Sequence, residues 1–324
     1  MARFFSAALF VASIASGCTQ TLDAGANHSH GLLPVDERNP VVLTNDTVND
    51  NWQGEYAVLL AAAGTLKLAG IVISTSPEWP EIDVNITGWR GLIAAAEMSG
   101  LGDLPDPSTS IGAPLARPDS GAIDQTKPNR SEGALFILGA SRRLSLPYRP
   151  LVVLTGGRLT DVADAYLIDP TVADRIVVVS SLGTKSASGG AMGIPNGEMD
   201  PWAAAIVAAR LRYVQVSAYY DQRTDVPAAR LPDLPANPLG AWIAVKQPKI
   251  WPQPITADQV AVAAICLPTF ATAIERVAPA GAVAAGATAG PDLVFDRRGP
   301  AWLVTESDGA VATAKFWELL RATH

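Results

Sequence analysis

Asp46, Asp50 and Asn51 stand close together at the end of an apolar run, Val41-Val42-Leu43-Thr44, and just before Gln53-Gly54-Glu55. All three present side-chain oxygens, the donors that hard cations and sugar hydroxyls take. An apolar strand running into such a cluster at the start of a helix is where open α/β sheets bind their ligands. Asp and Asn are also favoured at helix starts and turns for local hydrogen bonding, without any ligand. On this segment both readings stand.

The remaining chemistry is narrowed by what the chain lacks. Its three histidines are His28, His30 and His324, so none lies in the body of the sequence. Ser-His-Asp and Cys-His mechanisms need a histidine inside the fold and are therefore disfavoured. His28-Ser29-His30 supplies two ligands where a zinc site ordinarily has three or four, and it reads as solvated linker. Of the two cysteines, Cys266 lies in an apolar run and reads as a small buried hydrophobe. Neither a disulfide framework nor a cysteine metal site is available. The net charge is −7, with Lys and Arg scattered, which argues against nucleic acid and for a small neutral or cationic ligand.

Cys18 belongs to an export signal. Arg3 supplies the positive start, residues 4–14 a short apolar core, and Ala15-Ser16-Gly17-Cys18 a small-residue cleavage region. The core is too short to span a bilayer as a helix. The ending resembles a bacterial lipobox, in which the Cys becomes the lipid-modified first residue, although Ala15 stands where Leu is commoner. The expected organisation is a signal over 1–18, a tether over 19–39 and one domain over 40–324. Localisation follows as exported: a membrane-anchored lipoprotein through Cys18, or a periplasmic or secreted product.

Elements that would position the cluster follow in alternation. Residues 41–44, 68–74, 150–154, 175–179 and 213–217 predict strands. Residues 53–63, 88–98, 132–141, 159–167, 200–209, 257–264 and 311–322 predict helices. With 324 residues and 48% hydrophobic content there is ample core for one large unit. This βαβ rhythm implies an α/β fold, a single Rossmann-like domain with a mostly parallel sheet flanked by helices. Residues 102–130 and 183–197 read as long loops, 221–254 as irregular because of its prolines, and 278–290 as low-complexity linker. Residues 293–295 and 302–305 predict a late strand pair.

Three further segments fall at ends of this plan: Leu154-Thr-Gly-Gly-Arg-Leu-Thr160-Asp161, Ile194-Pro-Asn196-Gly-Glu-Met-Asp200-Pro201 and Ala257-Asp258-Gln-Val-Ala-Val. With Asp46, their order and spacing resemble the nucleoside hydrolase family of the inosine/uridine-preferring type, over most of residues 41–263. That family's first strand ends in Asp-x-Asp-Pro-Gly-x-Asp-Asp, which holds a calcium ion and the ribose hydroxyls. Here Asp46 matches the second Asp, Asp50 the next and Asn51 the last. Thr44 stands for the first, and Thr47-Val48 for Pro-Gly. The resemblance implies a Ca2+ held by Asp46, Asn51, the Thr160 carbonyl and Asp258, with Asp46 as base and Asp50 and Asn196 on ribose hydroxyls. Departures accompany it. Asn51 replaces a carboxylate, so calcium should bind more weakly unless Glu55 compensates. Ile194 stands for a ribose-binding Glu, Ala257 for a His that helps the leaving base, and Ser76-Pro77 for Gly-Asn.

Breaking an N-glycosidic bond passes through an oxocarbenium-like ribosyl cation and needs an activated water, a clamp on the sugar and help for the departing base. The implied activity is calcium-dependent hydrolysis of nucleosides or related ribosides. No residue is an evident acid for the leaving base; Tyr219, Tyr220 and Trp242 are aromatic candidates whose ordinary role is packing. A different class is a nucleoside- or sugar-binding lipoprotein that keeps the fold without turnover, which Asn51, Ile194 and Ala257 favour. A purely structural envelope protein would keep Asp46 and Asp258 apart. A homo-oligomer is compatible with all three.

Overall fold

The computed structural model describes residues 33–49, 51–181, 195–217, 226–247, 258–288 and 290–324. The signal region, Cys18, His28, His30, Asp50, Ile194, Tyr219, Tyr220 and Ala257 lie outside the described residues.

Short runs of Val, Ile and Leu build the centre of the molecule. Strands β1 (Pro40–Asn45), β4 (Leu151–Gly156) and β5 (Ile176–Ser181) are almost entirely buried. Burial on both faces is what central parallel strands require, and it explains their unbroken apolar sequences. With β2 (Lys67–Ile73), β3 (Pro107–Thr109), β6 (Tyr213–Val216), β7 (Ala271–Ala280), β8 (Asp292–Phe295) and β9 (Ala301–Ser307) they form one sheet, in the order β3-β2-β1-β4-β5-β6-β9-β7-β8. All pairings from β3 to β9 are parallel; β7 runs antiparallel to both β9 and β8. The expected α/β fold with a mostly parallel sheet is the one observed.

Helices cover both faces. One face packs against α1 (Gln53–Ala62), α2 (Ile82–Met98), α7 (Pro238–Lys246), α8 (Gln259–Cys266) and α9 (Gly309–Arg321), through Trp52, Trp89, Val260 and Phe316 among others. The other packs against α3 (Glu132–Leu144), α4 (Thr160–Ile168) and α6 (Pro201–Arg210), through Ile137, Val162, Ile206 and Tyr213. The four-residue α5 (Pro195–Glu198) precedes α6. Several starts are set by sequence: Ser131, Asp200, Asn237 and Asp308 accept backbone N–H groups as N-caps, and Pro201 and Pro238 follow at the first helical position.

Four expectations are corrected. Residues 293–295 and 302–305 do not pair with each other, because β7 lies between β8 and β9. That strand occupies 271–280, a segment whose Ala, Pro and charged residues lack a strand's alternation. The irregular stretch 221–254 contains α7, whose Pro238 starts the helix rather than breaking it. The loop 102–130 carries β3 and is pinned to α4 by Asp164, which accepts from Asn129 N at 2.8 Å and Ser131 N at 2.7 Å. Residues expected in the tether also pack on the domain: Val35 and Asn39 are buried, and Asn39 Nδ2 donates to the Pro150 carbonyl at 2.7 Å. Cys266 is free and buried, and burial pushes its thiol up.

Candidate strand-end site

The strand order turns between β1 and β4, where one connection runs towards β2 and β3 and the other towards β5 and β6. Such a switch point opens a crevice beyond the carboxyl ends of the strands. Asp46 follows β1 there, and Gly156-Gly157-Arg158 ends β4 beside it. Asn45 pairs with Gly156 in register, and its Nδ2 donates to the Gly156 carbonyl at 2.9 Å and to Gln53 Oε1 at 2.7 Å. A Cβ on Gly156 would lie 2.1 Å from Gln53 Oε1, so this close approach of β1, α1 and β4 demands glycine.

Asp258, immediately before α8, is the centre of the cluster. Its Oδ2 accepts from Asn51 Nδ2 at 2.9 Å; its Oδ1 accepts from Asn196 Nδ2 at 3.0 Å and from the Ser181 hydroxyl. Asn196 Nδ2 also donates to the Ser181 carbonyl at 3.2 Å, which ties α5 to the end of β5. The Asp258 carbonyl accepts from Gln53 Nε2 at 3.2 Å. Through Gln53 and Asn45 the Asp258 end is joined to the residue preceding Asp46, so β1, β4, β5, α1 and α8 meet in one buried polar network. Asp46 follows Asn45 directly, at the edge of this network.

Asp46 is buried, and its Oδ1 accepts its neighbour Thr47's N–H at 2.9 Å. Burial raises its proton affinity above the usual carboxylate range, against hydrogen bonds from Ser76 and the local backbone that lower it. Asn51 serves both readings of its segment: Oδ1 accepts Gln53 N–H at 2.8 Å at the start of α1, while Nδ2 reaches Asp258. Thr160 is the first residue of α4, and its hydroxyl donates to Asp200 Oδ2 at 2.7 Å. As a helical carbonyl it points along α4, away from the strand ends.

Residues without a role in the sequence reading complete the site. Arg158 is buried behind β4, with Nη2 donating to Thr75 Oγ1 at 3.1 Å. Burial lowers its proton affinity, and the nearby charges of Asp161, Asp200 and Asp46 raise it. Lys246, at the end of α7, donates to the Asn51 carbonyl at 2.5 Å and to Glu55 Oε1 at 2.6 Å. Trp242 Nε1 donates to the same Glu55 oxygen at 3.0 Å, and Lys246 Nζ lies 4.7 Å from the centroid of a Trp52 ring. Glu55 Oε1 is thus engaged by Lys246 and Trp242, while its Oε2 is buried with no hydrogen-bond partner among the described residues. Next to this pair opens a cavity of about 360 Å³ lined by Asn49, Trp79, Trp242, Val245 and Lys246. Ser181 was legible as a polar strand end, whereas Lys246 was hidden in a segment read as irregular.

The donors test the calcium implied by the resemblance. Asn51 turns its nitrogen, not its oxygen, to Asp258, and the Thr160 carbonyl belongs to a helix. Among the described residues no group of three or more His, Cys, Asp or Glu side chains could hold a metal ion. This donor set fits a hard divalent cation poorly.

No protein-family model matches the chain, and no curated protein matches it in sequence. Solved structures do resemble it. The inosine-uridine preferring nucleoside hydrolase from Bacillus anthracis has a TM-score of 0.61 at 13% identity, covering 87% of this chain and 99% of that one. An inosine-guanosine nucleoside hydrolase gives 0.61 at 14% identity, with the same coverage of 87% and 99%. The type III effector protein XopQ, complexed with adenosine diphosphate ribose, gives 0.54 at 13% identity, covering 89% of this chain and 95% of that one. At such identities the likeness carries the architecture: the chain has the fold of the nucleoside hydrolases.

Proposed function

We propose that the protein hydrolyses the N-glycosidic bond of a nucleoside or a related riboside in the cleft beyond β1 and β4. The observation that carries this reading is the Asn196–Asp258 hydrogen bond, together with the buried Asp46 after β1, at the strand ends of a nucleoside hydrolase fold with a two-tryptophan cavity alongside. Asp46 is the general base. Its burial keeps a proton acceptor of raised affinity at the strand end, where it takes the proton of a water attacking the anomeric carbon. The carbon–nitrogen bond breaks as the new carbon–oxygen bond forms, and the bonding electrons leave with the base. Asn196 and Asp50 hold ribose hydroxyls, so that binding energy remote from the reacting carbon orients the sugar. Trp79 and Trp242 offer flat apolar faces to the base. XopQ, similar in fold, is complexed with adenosine diphosphate ribose, which supports a ribosyl ligand here; that compound is tested by adenine release.

A second reading is favoured by the Asn51–Asp258 hydrogen bond, which stands where a carboxylate was expected. In it the cleft binds a nucleoside or sugar without turnover. Calorimetry beside a ribose-release assay separates the two: heat without product supports binding only, and product supports hydrolysis.

Residues 1–18 we assign to export, with Cys18 as lipid anchor and the following residues as tether. Palmitate labelling and globomycin-sensitive processing test it; a secreted product without lipid on Cys18 would end it.

A further inference from the structure

Two hydrogen bonds orient the Asn51 amide. Its Oδ1 accepts a backbone N–H from Gln53 at 2.8 Å, and its Nδ2 donates to Asp258 Oδ2 at 2.9 Å. Exchanging the two atoms would set a donor against the Gln53 N–H and an acceptor against a carboxylate. A cation bound to Asp258 would therefore face an N–H group where it needs an oxygen.

Asp258 does not need a cation for its own stability. Asn51, Ser181 and Asn196 all donate to it, and such charge-assisted bonds compensate a buried carboxylate. The cationic side chains nearby are already matched by carboxylates of their own. The Lys246 ammonium is 5% exposed and bonded to the Asn51 carbonyl and to Glu55, which is fully buried. The Arg158 guanidinium is buried where Asp46, Asp161 and Asp200 act on it. It stands in the Gly157-Arg158-Leu159-Thr160 segment, next to the residue that was expected to offer its carbonyl.

We propose that this site works without a divalent cation: the Asn51 amide closes the cation's position against Asp258, and the donors Asn51, Ser181 and Asn196 compensate that carboxylate instead. The inference rests on the reading of the cleft as the ribosyl site, but its consequence is measurable without turnover. Hydrogen bonds from side chains are not removed by chelators, so folding and ligand binding are indifferent to EDTA.

Calcium chloride is titrated into the full-length protein by calorimetry, and thermal unfolding is compared in millimolar calcium and in EDTA. No binding heat and an unchanged midpoint are expected. A specific calcium site, filled well above its dissociation constant, would instead raise the midpoint by several degrees. Saturable one-site heat, or such a rise in the wild-type protein, overturns the proposal. In Asn51→Asp an oxygen replaces the closing N–H, and a calcium-dependent rise in midpoint is expected. A folded Asn51→Asp that stays indifferent to calcium overturns the assignment of Asn51 as the excluding group; if it does not fold, the wild-type titration decides. A protein that released no ribose would still give a clear answer in either measurement.

Discussion

Asn51 and Asp258 are separated by 207 positions in the chain and meet side chain to side chain, Nδ2 to Oδ2, at 2.9 Å. This bond joins the start of α1 to the start of α8 across the end of the sheet. It converts a segment that reads as a local helix start into one wall of the cleft.

Asp258→Ala leaves the donors of Asn51, Ser181 and Asn196 without their shared acceptor. Each unsatisfied buried donor costs on the order of 1–3 kcal/mol, reduced where water enters, so a loss of about 3 kcal/mol is expected. Urea unfolding checks it, and a loss below about 1 kcal/mol would show that the network contributes little to folding.

Lys246→Met strands Glu55, whose side chain is fully buried, without its cation. Breaking such a pair by removing one member costs about 3–5 kcal/mol, much of it from the charge left behind. The double variant Lys246→Met/Glu55→Gln is therefore expected to recover a large part of that loss. A double-mutant cycle with purely additive effects would contradict the pairing.

Asp46→Asn removes the proposed base while retaining size and burial. Ribose release is expected to fall by about 10²–10⁴-fold. The thermal midpoint should hold or rise, because a buried neutral amide avoids the desolvation that now raises the Asp46 proton affinity. Unchanged release would remove Asp46 from the chemistry.

Asp169 provides a pH signature away from the cleft. Hydrogen bonds from Thr171, Arg142 and Arg175 hold its carboxyl well below the usual range. A lowered folded-state value contributes stability above the unfolded value of 3.8 and loses it as the pH falls through the folded value. Because the pair is partly solvated, Asp169→Asn should cost no more than about 1 kcal/mol near neutrality. Urea midpoints of both proteins should converge as the pH drops below the carboxylate range; a constant gap would contradict the linkage.

Much of this plan was legible in the chain. The apolar runs ending in Asn45, Gly156 and Ser181 reveal parallel strands because central strands bury both faces, and the polar residues that follow them mark the cleft. Alternation of those runs with helical periods made the α/β fold readable. The strand β7 was not readable, since Ala271–Ala280 gains its order from pairing with β8 and β9 rather than from its own pattern. Asn51 was visible as an oxygen donor, but its use as a nitrogen donor depends on an Asp far along the chain. Lys246 and Arg158 escaped for the same reason, because the carboxylates that give them meaning lie on other elements.

The most direct test of hydrolysis at this site is ribose release by the purified full-length protein from a panel of purine and pyrimidine nucleosides, with calcium and with EDTA. Release from at least one of them, equal in both buffers and lowered by about 10²–10⁴-fold in Asp46→Asn, is the predicted result. Absence of ribose from every substrate in both buffers would contradict it.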